Sequence, residues 1–106
     1  MLKVNKKMII YEITTTVSNE LIENYEKYMQ EIHIPDLLDT GYFGKAYFTR
    51  SEENRYRVQY HAYDQNSLDE YLKNDAPRLR EHFHSHFPKG IELSRENWVI
   101  LEEFKK

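Results

Sequence analysis

Glu81–Gly90, EHFHSHFPKG, sets three histidines at alternate positions, a spacing that raises the question of a metal site. On a helix His82 and His86 lie one turn apart on one face and could supply two ligands, whereas His84 points about 160 degrees from each of them. Three ligands do not converge from this segment alone. The H-E-x-x-H pattern of a catalytic zinc helix is absent, because Phe83 and His84 follow His82, and the chain has no cysteine to complete a site. Imidazoles near a helix C-terminus also suit the dipole and the solvent. The preferred reading is therefore solvated histidines, with no metal and no cofactor.

Two other groupings have residue types that can move a proton. His33 precedes Ile34-Pro35, and a neutral imidazole with an unperturbed pKa of ~6.5 can act as general base or orient a carbonyl. The alternative is that His33 caps carbonyls at a helix end or packs in an interface. Glu12, Gln59 and His61 fall on one face of two neighbouring strands if alternation holds, with Tyr63 following in the same parity. A carboxylate facing a histidine across adjacent strands can transfer a proton, and the same pair is also a routine cross-strand contact. One bulge would turn these residues to the other face. Candidates for catalysis are thus His33, Glu12 and His61, and for ligand binding Glu12, His33, Gln59, His61 and Tyr63.

Composition narrows the partners. A chain of 106 residues is long enough for one core and too short for two. Nine tyrosines, five phenylalanines and one tryptophan suit half-buried sheets and argue against disorder. A net charge of −3 with acids and bases mixed throughout leaves no basic stripe for a phosphate backbone, so nucleic acid is not an expected partner. The absence of cysteine excludes disulfides and a thiol nucleophile and fits a reducing, cytoplasmic setting. Neither export nor membrane insertion is expected, because the apolar stretch after MLKVNKK is only one strand long.

The elements that must position these residues follow from periodicity. Residues 1–7 read as an N-terminal tail and 8–106 as a single domain. Met8–Val17 alternates as a strand, with Ile9, Tyr11, Ile13, Thr15 and Val17 on one face and Ile10, Glu12, Thr14 and Thr16 on the other. Leu21, Ile22, Tyr25 and Ile32 mark a helical stripe that ends or bends near His33, since Pro35 disfavours helical geometry at Ile34; PDLLDTG runs on as a short helical turn. FGKAYFTR and RYRVQYHAY read as an antiparallel hairpin closed by SEEN. Ser67 with Glu70 suggests a capping box, and a stripe through Leu68, Tyr71, Leu79, Phe83 and Phe87 is interrupted at Pro77, giving a kinked helix or two short ones. After Gly90, IELSRENWVILEEF supplies a last strand with a bulge or bend around Arg95–Asn97.

The order β-α-β-β-α-β is the α+β ferredoxin-like arrangement, a four-stranded antiparallel sheet with helices on one face. Its other face, too aromatic to stand in solvent, needs a cover.

The chain resembles an uncharacterised family of short bacterial proteins that open with a MIIY-like strand, here Met8–Tyr11, and carry H-I-P, here His33-Ile34-Pro35. A T-G-x-F turn at Thr40–Phe43, VQY at Val58–Tyr60 and APRLRE at Ala76–Glu81 extend the resemblance over nearly all of 8–104. It implies membership of the dimeric α/β barrels, in which two ferredoxin-like sheets pack face to face around a cleft, and hence a homodimer. The segment holding His33 is similar to the H-x-P segment of EthD-type barrel proteins, where it lies near the cleft mouth.

Such barrels include cofactor-free monooxygenases, haem-degrading enzymes, lactone isomerases and plain stress-response proteins, so fold alone does not name a reaction. The haem-degrading set, a strand-one Asn, a Trp and a helix-two His, is not matched, because strand one carries Glu12 and Trp98 lies on the last strand. TTVSNE lacks the phosphate loop of acylphosphatases, and RYRVQYHAY lacks the glycine of RNA-recognition domains. The sequence thus implies binding or transformation of a small molecule in the inter-sheet cleft, with a non-catalytic dimeric module as the alternative; whether it is an enzyme stays open.

Overall fold

The computed structural model describes residues 7–106; the tail expected at 1–7 lies, except for Lys7, outside the described residues. Strands β1 (Ile9–Val17), β2 (Phe43–Glu52), β3 (Arg55–Ala62) and β4 (Ile91–Val99) form one sheet in the order β2-β3-β1-β4. Every neighbouring pair is antiparallel. Helices α1 (Ile22–Tyr28), α2 (Ile34–Asp39), α3 (Gln65–Asn74) and α4 (Ala76–His86) complete the ferredoxin-like α+β fold.

Alternation in β1 does what the sequence implies. Ile9, Tyr11, Ile13, Thr15 and Val17 are buried under the helices, while their neighbours face the other way. Tyr56, Val58, Tyr60 and Ala62 of β3 join them. From the helices come Tyr25, Tyr28, Met29, Leu37, Leu68, Tyr71 and Leu79. Tyrosine dominates this core because a ring buries large area while its hydroxyl can reach a polar partner. Tyr25 shows both: it is fully buried, its hydroxyl lies 2.8 Å from Thr15 Oγ1, and burial pushes its pKa up to about 12.

The first helical segment bends where Pro35 requires it, but by widening rather than ending. A π-helical turn, Met29–His33, joins α1 to α2, and Ile34 keeps helical angles of −66° and −46°. Proline has no N–H to give to the carbonyl of Glu31 and its ring would strike that carbonyl, so the wider turn lets the axis continue. Gly41, with φ +87°, stops the helix in a conformation that favours glycine.

Two local expectations are corrected. The N-cap before α3 is Asp64, whose carboxylate accepts from Ser67 N at 2.8 Å, so the Ser67–Glu70 box does not form; a carboxylate one turn earlier already holds that amide. β4 pairs with β1 in unbroken register from Ile91 to Val99, so it has no bulge at Arg95–Asn97. The register shifts instead fall in β2, between Phe43 and Lys45 and between Arg50 and Glu52. At the first, a side chain on Gly44 would meet the Tyr63 ring at 3.1 Å, which is why the extra residue there is glycine. Near Pro77 the second helical segment divides in two at Asp75.

Candidate functional site

The helices do not cover the whole sheet. Buried residues alternate along β3, yet no residue of β4 is buried on either face. Register places Leu93 opposite Thr15 and Arg95 opposite Ile13, so both are on the helix side, and Leu93 is still 38% exposed. Between α4 and this uncovered edge lies a cavity of about 360 Å³. Its walls come from β1 (Tyr11, Ile13, Thr15), from α4 and the turn after it (Arg80, Phe83, Phe87), from β4 (Ile91, Leu93, Arg95), and from Tyr25, Met29, His33 and Tyr71. It is thus on the opposite face of the sheet from the inter-sheet cleft that the sequence suggested.

His33 reaches this cavity because the π turn carries it inward. It is 8% exposed, its ring stacks on Tyr28 at 5.9 Å and meets Phe83 edge-on at 5.5 Å, and its Nδ1 has no hydrogen-bond partner among the described residues. Burial holds its pKa down at about 4; Asp36 opposes this, while His82 and Arg95 reinforce it. At neutral pH the ring is therefore uncharged and a weak base, better suited to hold a hydrogen bond than to abstract a proton.

The remaining sequence candidates occupy the uncovered sheet face. Glu12 pairs with Gln59 across β1–β3, and Gln59 Nε2 donates to Glu12 Oε1 at 3.0 Å. Trp98 Nε1 donates to Glu12 Oε2 at 3.3 Å, and the Arg57 guanidinium lies 3.5 Å from Oε1. His61 stands opposite Ile10 with Tyr47 at 5.7 Å, its pKa lowered by burial and by Lys45. Tyr63 lies just past β3, exposed, over Gly44. Glu12, Gln59 and His61 thus share a face, but the sheet separates them from His33, and Glu12 is held by three donors rather than by His61.

The alternate histidines split as helical geometry requires. His82 Nδ1 lies 2.8 Å from the Tyr28 hydroxyl and the His86 ring packs 4.5 Å from Tyr28, while His84 turns to the cavity. Among the described residues, no group of three or more His, Cys, Asp or Glu is arranged to hold a metal.

Sequence reasoning missed Tyr11, Tyr71, Arg80 and Arg95 as site residues. Arg80 donates from Nη2 to the Tyr11 hydroxyl at 2.9 Å, and both arginines act on Tyr71, whose pKa is raised chiefly by burial and next by Tyr11. A signal for Arg95 was present. The β4 parity that faces the helices reads Ile91, Leu93, Arg95, Asn97, Val99, and a strand wholly roofed by helices would not carry Arg and Asn there.

Solved structures of similar fold have little sequence in common with this chain. SnoaB, a cofactor-independent oxygenase from Streptomyces nogalater, superposes with a TM-score of 0.73 at 11% identity, over 93% of this chain and 98% of its own. A dimeric ferredoxin-like protein from an uncultured marine organism gives 0.71 at 10% identity, over 94% and 100%. An EthD (ethyl tert-butyl ether d) family protein from Bacillus halodurans gives 0.65 at 13%, over 91% and 99%. No curated protein matches. No described helix is long and apolar enough to cross a membrane. Residues 8–98 match the family described as Domain of unknown function (DUF4286), and the chain belongs to that family.

Proposed function

We propose that this protein binds or transforms a small molecule of mixed polarity in the cavity between α4 and the β1–β4 edge, with His33 meeting its polar atom. The observation that carries this reading is His33, which lines a cavity of about 360 Å³ and whose buried Nδ1 has no hydrogen-bond partner among the described residues. A buried polar atom left unpaired costs about 1–3 kcal/mol, a deficit that a ligand hydrogen bond removes. The volume falls at the low end of the range for small-molecule sites, and the walls are mainly apolar with a few polar groups, as such sites require.

The neighbouring solved structures include an oxygenase and a protein of the EthD family, which supports a small-molecule role without naming a reaction. The same proposal has two copies pairing through the uncovered sheet face, as the dimeric ferredoxin-like neighbour suggests. Glu12, Gln59, His61 and Tyr63 then line the space between the sheets.

The test is a thermal-shift screen with a chemically diverse panel, followed by titration of the hits. Hits should raise the melting temperature of the wild type, and His33→Ala should weaken their binding by about 1–3 kcal/mol. A panel that produces no shift, or hits that bind His33→Ala as tightly as wild type, would overturn it.

A further inference from the structure

The cavity is graded along its length, and we infer that its occupant is an amphipathic anion, an apolar ring-sized body whose carboxylate is held by Arg80 and Arg95. This rests on the binding role proposed above and names the ligand class. Strand register sets the gradient. Arg95, opposite Ile13 and one pair from Tyr11, marks one end, and Ile91, opposite Val17, marks the other, roughly 13 Å from Arg95 by the strand rise, with Leu93 and its partner Thr15 between them. Tyr25 and Phe87, whose rings lie 6.0 Å apart, make the far end apolar.

At the near end positive charge is left uncompensated. Arg80 is tied only to the neutral Tyr11 hydroxyl, and neither Arg80 nor Arg95 forms an ion pair among the described residues. No described Asp or Glu lines the cavity, although the chain as a whole carries −3. Two carboxylates act from nearby. Asp36 influences His33 and Asp75 influences Tyr71, but Asp75 is already paired with Arg78 at 3.0 Å and neither lines the cavity. Guanidinium forks match a carboxylate in bidentate geometry. The neutral His33 adds a hydrogen bond without a competing charge. Lys89 also lines the cavity, next to Phe87 and Pro88 at the apolar end, and so provides an internal control.

Calorimetric titration with three probes on one skeleton, 2-naphthoate, 2-naphthamide and 2-naphthylmethylammonium, separates the possibilities. The carboxylate should bind at least about tenfold more tightly than the amide, and the cation most weakly. Arg95→Met, which breaks no hydrogen bond or ion pair among the described residues, and Arg80→Met should each reduce naphthoate affinity about tenfold and leave the amide unchanged; Lys89→Met should change neither. Binding of amide and carboxylate with equal affinity, both weakened by His33→Ala, would sink the anion class and leave the cavity reading standing. Loss of naphthoate binding in Lys89→Met alone would overturn the arginine assignment. Failure of all three probes to bind at millimolar concentration would overturn both readings.

Discussion

Arg80 Nη2 donates to the Tyr11 hydroxyl at 2.9 Å, joining α4 to the central strand of the sheet at the mouth of the cavity. The bond fixes the position of a long cationic side chain that would otherwise sample solvent. It also gives the hydroxyl of Tyr11, whose ring is packed among Phe43, Tyr60 and Tyr71, its polar partner. One contact therefore serves the core and the site together.

Tyr11→Phe separates these roles. The ring remains and the core keeps its packing, so the stability loss should be about 1–2 kcal/mol, the low end for a hydrogen bond to a charged group because Arg80 is exposed. Arg80 loses its tether, so affinity for a carboxylate ligand of the cavity should fall more than stability does. Urea unfolding and ligand titration on the same variant measure the two effects. A stability loss of several kcal/mol would mean that the hydroxyl supports the core instead.

His33 should contribute an acid-sensitive component of stability. The folded protein keeps its imidazole neutral until about pH 4, whereas the unfolded chain takes up the proton near pH 6.5. The contribution is therefore complete above pH 6.5, falls as the pH drops, and is lost by about pH 4. Integrated over that window it amounts to about 3 kcal/mol. The unfolding free energy of His33→Gln, measured from pH 7.5 to 4, should fall less steeply than that of the wild type. Parallel curves would show that the ring titrates normally. A ligand that accepts a hydrogen bond from this nitrogen should move the limb, because bound and free protein would then differ in proton affinity.

Tyr60 offers a gain. It is fully buried, its hydroxyl has no hydrogen-bond partner among the described residues, and burial drives its pKa well up. Tyr60→Phe removes an unpaired polar atom and keeps the ring, so chemical denaturation should show the variant about 1 kcal/mol more stable than wild type. A destabilised variant would reveal a partner for the hydroxyl, such as a buried water.

The faces of the sheet were legible in the sequence and the depth of the helical roof was not. Period-two alternation assigns Tyr11 inward and Glu12 outward whatever covers either face, which is why a shared face for Glu12, Gln59 and His61 could be foreseen, although the residue opposite Glu12 is Gln59 and not His61. How far α4 stops short of β4 depends on helix packing, which no local pattern encodes, and the cavity lies in that gap. His33 shows the same limit. Pro35 announces strain in the helix, but not that a π turn would absorb it and leave the His33 ring buried in the cavity wall. The cap of α3 was missed for a smaller reason, since Asp64 and Ser67 are both good N-caps and only the chain's exit from β3 chooses between them.

Two copies are expected to associate through the sheet face that carries Glu12. Four groups meet there: the Glu12 carboxylate accepts from Gln59 and Trp98 and pairs with Arg57, so the charge at the centre of the face keeps its partners when the face is covered, which an unpaired carboxylate would not. Around it stand Tyr47 and Trp98, 51% and 49% exposed, with Ile10 between His61 and Trp98 in the register. Such a face on a monomer is a liability, and pairing it with its own two-fold copy removes the liability without a second protein. Trp98 is the chain's one tryptophan, so its emission reports on the face alone. On dilution from high to low micromolar concentration the emission should shift to the red as the scattering mass halves. Ile10→Glu places a second, unpaired carboxylate near Glu12 and should weaken association at least about tenfold while leaving the circular dichroism unchanged. A monomeric mass at high micromolar concentration, with red-shifted emission throughout, would rule out the dimer and leave the uncovered face without an account.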